Sequence, residues 1–463
     1  MESPPNIVWI TLDSVRADHT SMASYERDTT PNLRRIADRA DGQWFSQCIS
    51  HGINTRVSSA SILTGTYPSH HSVWDHAVPR QLATVPELLS DCGYHTACIS
   101  RNSNISSAVG LDRGFDDFTL LMPSNLHKAT DIDTVARFLL NLRKHSAGFA
   151  LDKMKHSTPF IVNDVAKKTL RSYVGAQEPF FLYLHYNEPH RPYYPPLPYL
   201  DKYTDDIDMT GREAGEFSLE VHRNVHEEIA RGCSFSEDEW KAIEAMYDAE
   251  VAYTDECIGR LFDFIHSLEL DDTIFVVTAD HGELLGEHNL LGHVLVPDDA
   301  AINVPLVVHG LKGTDHKQNE LVQHSDLMKT LIAKVGGDID QIHGSDLRTE
   351  TREHAVVQRR EATFDFYTKY NTDFDTSQFH EPVLTTLRTS EFKLHHSEDR
   401  TELYQLPDEE TVVNDRYPDI LETLKSETTC LLKNEGEPIE NDTRANYSDA
   451  MKEHLADMGY LEP

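Results

Sequence analysis

Residues 53–65 read INTRVSSASILTG, a polar opening that runs into a helix-like segment ending at Leu63, Thr64 and Gly65. A hydroxyl at such a loop-to-helix junction has two uses. Thr55 can cap the helix by accepting a hydrogen bond from a first-turn amide. It can instead be a nucleophile held at the positive end of the helix, where an anionic group is also stabilised. Elsewhere, acids and imidazoles follow short apolar runs. Asp13 closes NIVWITLD (6–13), and Asp280 and His281 stand side by side in TADHGELLGEH. His190 lies in NEPHRPYYPP and His293 in LLGHVLVPDD. Taken singly, a carboxylate at a strand end is a helix cap or a solvated turn residue, and a loop histidine is polar surface. Taken together, two carboxylates, an imidazole and a hydroxyl form the donor set of a divalent metal site.

For these groups to meet, the runs that carry them must be strands of one sheet with their carboxyl ends on a common edge, where doubly wound sheets bind ligands. The pattern supports this. NIVWITLD, YHTACIS (94–100), PFFLYLHY (179–186), DTIFVVTAD (272–280) and VPLVVHG (304–310) are rich in β-branched and aromatic residues and apolar on both faces. Strands covered by helices on both sides read this way. Amphipathic segments alternate with them: PNLRRIADRA (31–40), TVPELLSDCG (84–93) and the long stretch 238–268. The alternation predicts an α/β fold, a doubly wound, mostly parallel sheet flanked by helices. The polar, acidic segment 201–236 has no clear apolar period and is expected to form an inserted excursion near the mouth of the site. After residue 345 the texture changes. PVLTTLRTSEFKLHHSEDRTELYQLPD (382–408) predicts antiparallel strands and DILETLKSETTCLLKN (419–434) a helix, so the expected division is 1–345 for the catalytic α/β domain and 346–463 for a smaller α+β domain.

Composition narrows the function classes. The 463 residues carry a formal net charge of -35, spread along the chain without an acidic tail. Even acidity of this kind weakens compaction by self-repulsion but keeps a protein hydrated and dispersed, which suits a halophilic cytoplasm. No basic stripe is present, so nucleic acid is not an expected partner. The six cysteines show neither zinc-like nor disulfide-framework spacing and read as thiols in a reducing compartment. MESPPNIVWITLD lacks a basic-then-apolar leader, and no apolar run approaches the roughly 18 residues of a membrane helix. A cytoplasmic protein without a membrane span is expected; its oligomeric state is not legible.

The motifs, in their order, resemble the sulfatase family of the alkaline phosphatase superfamily. LDSVRADH, TTPNLRRIA, the Thr55–Gly65 stretch and TADHGELLGEH carry the resemblance, with GLDRGFDDF (110–118), EPHRPYYPP (188–196), VPLVVHG, HSDLMKTLIAKVG (324–336) and FKLHHSEDRTELYQLPD (392–408) in register behind them. It implies an alkaline-phosphatase-like fold and one divalent ion (Ca, Mn, Mg or Zn) held by Asp13, Asp280 and His281 with Thr55. It also implies that His190 and His293 contact the ester, that His293 assists the leaving group, and that Arg101 stands for a lysine of typical members. The expected substrate is a small-molecule or glycan sulfate or phosphate ester.

The chain also departs from that family. Typical members carry Cys or Ser, then Pro, Ser and Arg ahead of Leu-Thr-Gly, and the Cys is oxidised to formylglycine. Counting back from Gly65 places Thr55 at the nucleophile, Val57 at the Pro and Ser59 at the Arg. Threonine cannot become formylglycine, so that cofactor is not expected. Ser14 replaces a second acid after the first strand. The main expectation is a metal-dependent hydrolase that cleaves a sulfate ester with Thr55 as metal-activated nucleophile. The alternatives are a phosphoesterase, phosphodiesterase or phosphoglycerol-transferase-like enzyme of the same superfamily, and a non-catalytic sulfatase-like protein that binds a glycan.

The charge makes a prediction of its own. Screening relieves self-repulsion, so the melting temperature is expected to rise steeply from low to molar salt; a flat profile would return the acidity to that of an ordinary acidic protein.

Overall fold

The computed structural model describes residues 4–459 apart from 123, 131, 151, 177, 271 and 315–317. Fourteen strands are formed among them: β1 (Asn6–Leu12), β2 (Gly42–Ile49), β3 (His95–Ser100), β4 (Asp117–Leu120), β5 (Phe180–Tyr186), β6 (Thr273–Ala279), β7 (Leu284–Leu285), β8 (Leu291–Gly292), β9 (Asn303–His309), β10 (Leu321–Gln323), β11 (Ala355–Arg359), β12 (Leu384–Arg388), β13 (Phe392–His396) and β14 (Thr401–Gln405). Eight of them make one sheet in the order β10-β2-β9-β6-β1-β5-β3-β4. Every pairing is parallel except those of β9 with β2 and β6. The expected mostly parallel sheet is present, and VPLVVHG supplies its one reversed strand. β5 and β6 are buried along their whole length. Helices on both faces leave no side of a central strand to water, hence the unbroken apolar runs.

One helix does much of the positioning. Glu237–Ser267, capped by Ser236 and Glu239, packs across the sheet and holds the loop after β1. Tyr247 on it donates to the Ser14 carbonyl and accepts from the Arg16 amide. Asp255 accepts from the Asn32 and Leu33 amides and so caps the helix Pro31–Ala37. The segment 201–236, expected as an inserted excursion with no clear apolar period until its end, is regular in part. It contains the helices Gly211–Arg223 and Val225–Ala230, whose Ala214, Leu219, Val225 and Ile229 are buried. Their apolar positions are few and diluted by acids, so the period was hidden in the sequence. No described helix is long and apolar enough to cross a membrane.

β11–β14 form the predicted small antiparallel sheet, covered by the helix Pro418–Asn434. The chain then returns to the large sheet. Ile439 donates to the His70 carbonyl and Ala77 to that of Thr443, and the helix Asp449–Asp457 brings His454 to Ser103. The two sheets are also joined by charge. Lys393 on β13 is fully buried with its ammonium 2.6 Å from Asp299, and Arg388 on β12 reaches the same carboxylate at 2.8 Å. Removing one partner of such a cluster strands the others in a low-dielectric setting. Asp299→Ala is therefore expected to cost about 3 kcal/mol or more of unfolding free energy in urea titrations; a loss below about 1 kcal/mol, the scale of an exposed pair, would show that the cluster does not join the sheets.

Candidate active site

Four strands of the large sheet and one helix deliver side chains to one point. β1 lies between β5 and β6, and the pairings Leu12–Tyr186 and Leu12–Ala279 put the three strand ends level. Asp13 follows β1, Asp280 follows β6, His185 sits near the end of β5, and Asn102 follows β3. The helix Thr55–Thr64, after β2, supplies the hydroxyl. Its N-cap is Asn54, whose side chain accepts from the Val57 amide. The cap role is thus taken by Asn54. Thr55, first residue of the helix, points its hydroxyl at the acids: Oγ1 is 3.3 Å and 3.4 Å from the Asp13 carboxylate oxygens and 3.3 Å from His281 Nε2.

The turn after β1 is built for this. Ser14 adopts a left-handed backbone (φ 67°), which costs a non-glycine residue about 1 kcal/mol. The turn aims its amide at Asp280 Oδ1 (3.4 Å) and its hydroxyl at Asp13 Oδ1 (3.1 Å). Asn102 donates to the other Asp13 oxygen at 3.0 Å. After β6, the His281 amide donates to Asp280 Oδ1, and His281 Nδ1 donates to the Gly282 carbonyl, which turns Nε2 towards Asp13, Asp280 and Thr55. A side chain at Gly282 would run into the Ala300 carbonyl oxygen, so the chain passes there only as glycine.

All of these groups are buried, and their electrostatics are tense. Burial, then the charge of Asp280, push the Asp13 carboxyl upward. Burial also opposes ionisation of Asp280, but His281 and His185 outweigh it and hold that carboxyl below its usual range. His281 is disfavoured as a cation by burial yet held up by Asp280 and Asp13. Asp13, His185 and Asp280 each offer a ligand atom within 4.8 Å of the others. Two carboxylates, the imidazole of His185, that of His281 with its remote nitrogen fixed on Gly282, and a hydroxyl match a small divalent cation in chemistry and spacing. Residues Asp13, Asp280, His281 and Thr55 come together as expected, and His185 joins them.

The two further histidines stand beside this centre. The His293 ring lies 4.4 Å from that of His281 and 5.1 Å from that of His190. His293 Nδ1 donates to Glu283 at 3.0 Å and His190 Nδ1 to the Arg191 carbonyl at 2.8 Å, so both present Nε2 inward. Burial lowers the pKa of each, with His281 and Arg191 adding to the effect at His293, and His293 and Arg191 at His190. Arg101 is different. Its guanidinium donates to the Leu121 carbonyl at 3.0 Å and meets His454, while the neighbouring Asn102 is what reaches Asp13.

Sequence reasoning missed Asn102, His185 and Arg191. Arg191 is 6% exposed and keeps two guanidinium nitrogens, Nε and Nη1, buried without a hydrogen-bond partner. A planar fork held this way suits an anionic ester group. Only its position beside His190 in the EPHRPYY loop hinted at it. A cavity of about 550 Å³, lined in part by Arg101, His190 and Arg191, opens beside the centre.

Comparison with known proteins agrees with this geometry. The family profile described as Sulfatase matches residues 5–337. The arylsulfatase of Clostridium perfringens is 26% identical over 404 residues, covering 78% of this chain and 80% of its own. The N-acetylglucosamine-6-O-sulfatase of Bacteroides thetaiotaomicron is 24% identical over 463 residues, covering 85% and 78%. The phosphonate monoester hydrolase from Silicibacter pomeroyi shares the fold with a TM-score of 0.70 at 19% identity, covering 96% of this chain and 100% of that one. The profile spans well over half of the chain: this protein belongs to the sulfatase family of the alkaline phosphatase superfamily, a family of ester hydrolases.

Proposed function

We propose that this chain is a metal-dependent hydrolase that cleaves a sulfate or phosphate ester with Thr55 as the nucleophile. The observation that carries it is the Thr55 hydroxyl, relieved of capping by Asn54 and held 3.3 Å from both Asp13 and His281 in a buried pocket. A divalent ion bound by Asp13, Asp280, His281 and Thr55 would lower the pKa of the hydroxyl and offset charge on the ester oxygens. The residues supply the rest. Arg191 binds the anionic oxygens, and the positive end of the Thr55 helix adds to their stabilisation. Thr55 Oγ1 bonds to sulfur or phosphorus as the ester oxygen departs. The proton leaving Thr55 passes to the inward Nε2 of His293 or His190, and the same pair delivers a proton to the leaving oxygen. Water then cleaves the Thr55 ester, releasing sulfate or phosphate and restoring the hydroxyl. Arg101, set back against His454, lines the cavity that takes the organic part of the substrate.

The names of the relatives favour a sulfate ester. A second reading, a phosphoester, is favoured by the nucleophile itself. A formylglycine hydrate expels sulfate by carbon–oxygen elimination, and a threonine ester has no such exit. A threonine phosphate is instead hydrolysed at phosphorus. The phosphonate monoester hydrolase fold is consistent with that chemistry.

Metal analysis of the purified protein and parallel assays on aryl sulfate, aryl phosphate and phosphodiester substrates separate the readings. Thr55→Ala is expected to lower kcat by about 10³-fold or more while metal stays bound, and Thr55→Ser to keep part of it. Thr55→Cys, made with the maturation enzyme present, is expected to yield no formylglycine by peptide mass spectrometry, because Val57 and Ser59 stand where the maturation signal has Pro and Arg. Arg191→Ala is expected to raise KM about tenfold to a hundredfold, the scale of a charged hydrogen bond. Wild-type turnover in Thr55→Ala would move the nucleophile to Ser58 or to water.

A further inference from the structure

The cavity beside the centre combines polar groups with a large apolar wall. Its inner side belongs to the reaction: His190 and Arg191 line it, and the His190 ring stacks within 5.1 Å of His293. Away from that end, helix Ile132–Leu140 contributes Phe138 and Leu139, joined by Leu121, Met122, Ile161 and Met458 from other elements. Of the polar groups that line the same cavity, Glu188 is engaged by the amide and hydroxyl of Thr158 and Arg101 by Leu121 and His454, while Ser157 Oγ, Asn187 Oδ1 and Glu250 Oε2 are buried without a partner. About 550 Å³ falls within the usual range for a pocket that takes a small organic ligand.

A second observation, outside the cavity proper, points the same way. Among the described residues, four of the nine large apolar side chains left open to water fall in this part of the chain. Ile132 is 89% exposed, Leu140 84%, and Leu139 and Phe149, which line the cavity, 57% and 94%. Single exposed apolar residues are ordinary, whereas exposed apolar side chains that line a cavity, as Leu139 and Phe149 do, mark a binding surface. The anionic end of a ligand would meet Arg191 and the buried acids' cation site, and its body would meet hydrocarbon.

We propose that the substrate is an amphiphile: a sulfate or phosphate ester whose organic part is an alkyl chain or an apolar ring system, seated in this cavity, rather than a glycan ester. This rests on the ester-hydrolase reading and specifies its leaving group. Burial of hydrocarbon then sets the affinity. Each methylene added to an alkyl ester lowers KM about fourfold, the equivalent of the ~0.8 kcal/mol of a buried CH₂, until the cavity is filled.

The test uses the metal-loaded full chain and a series of n-alkyl phosphates and n-alkyl sulfates from ethyl to decyl, with glucosamine 6-sulfate for comparison. The longest esters are offered both as monomers and in phosphatidylcholine vesicles, which separates a dissolved amphiphile from a lipid headgroup; both lie within the assignment. Binding of the matching n-alkylphosphonates is followed by calorimetry, a readout that does not depend on turnover. The expected result is a KM and a Kd that fall with chain length. Leu139→Asp and Phe149→Asp, at exposed positions that do not threaten folding, are expected to flatten both dependences. Turnover of short esters with no dependence on chain length, or tighter binding of glucosamine 6-sulfate than of hexyl phosphate, would overturn the assignment and leave the hydrolase reading intact. Chain-length-dependent binding without turnover of any ester would support the apolar ligand and overturn the hydrolase reading instead.

Discussion

Asp13 and Asp280 are two carboxylates brought together in full burial, and the rest of the architecture is arranged around that juxtaposition. Burying one such ion costs several kcal/mol even after relaxation, and a like charge beside it adds to the cost. The fold counters this with directed donors. Asn102, the Ser14 hydroxyl and the Ser14 and His281 amides all point at the two groups, while His185 and His281 supply compensating imidazoles. The same concentration of negative potential suits a divalent cation and aligns the Thr55 hydroxyl.

That constraint explains why the site sits where it does. Only the carboxyl edge of a parallel sheet collects residues from β1, β3, β5 and β6 within a few ångström, because parallel strands all end on the same side. The left-handed Ser14 and the tight passage at Gly282 are local costs accepted to turn the chain away while leaving the acids in place. The long helix Glu237–Ser267 fixes the first of those turns from outside through Tyr247. Asn54 takes over the capping of the Thr55 helix, which frees the hydroxyl for chemistry.

Much of this was legible in the sequence. Asp13 and Asp280 announce themselves because each ends a run of residues that only a central strand can bury. Thr55 follows from its distance to Gly65, whose left-handed backbone ends the helix. His185 was not legible, because it lies inside PFFLYLHY, where a histidine reads as one more strand residue. Asn102 stood one position from the residue chosen, Arg101, and only the turn after β3 decides which of the two faces Asp13. The helices within 201–236 were masked by dense acidity. The return of His454 to Arg101 and Ser103 joins positions some 350 residues apart, a contact that no local pattern encodes.

The central claim is that Thr55 itself bonds to the transferred group. Rapid acid quench during turnover of an aryl phosphate or aryl sulfate, followed by peptide mass spectrometry, measures this directly. The account predicts a phosphoryl or sulfuryl group on Thr55 in the fragment that contains INTRVSSASILTG, appearing no later than the first released product. Steady turnover with Thr55 unmodified at every time, or the group found on Ser58, would contradict it.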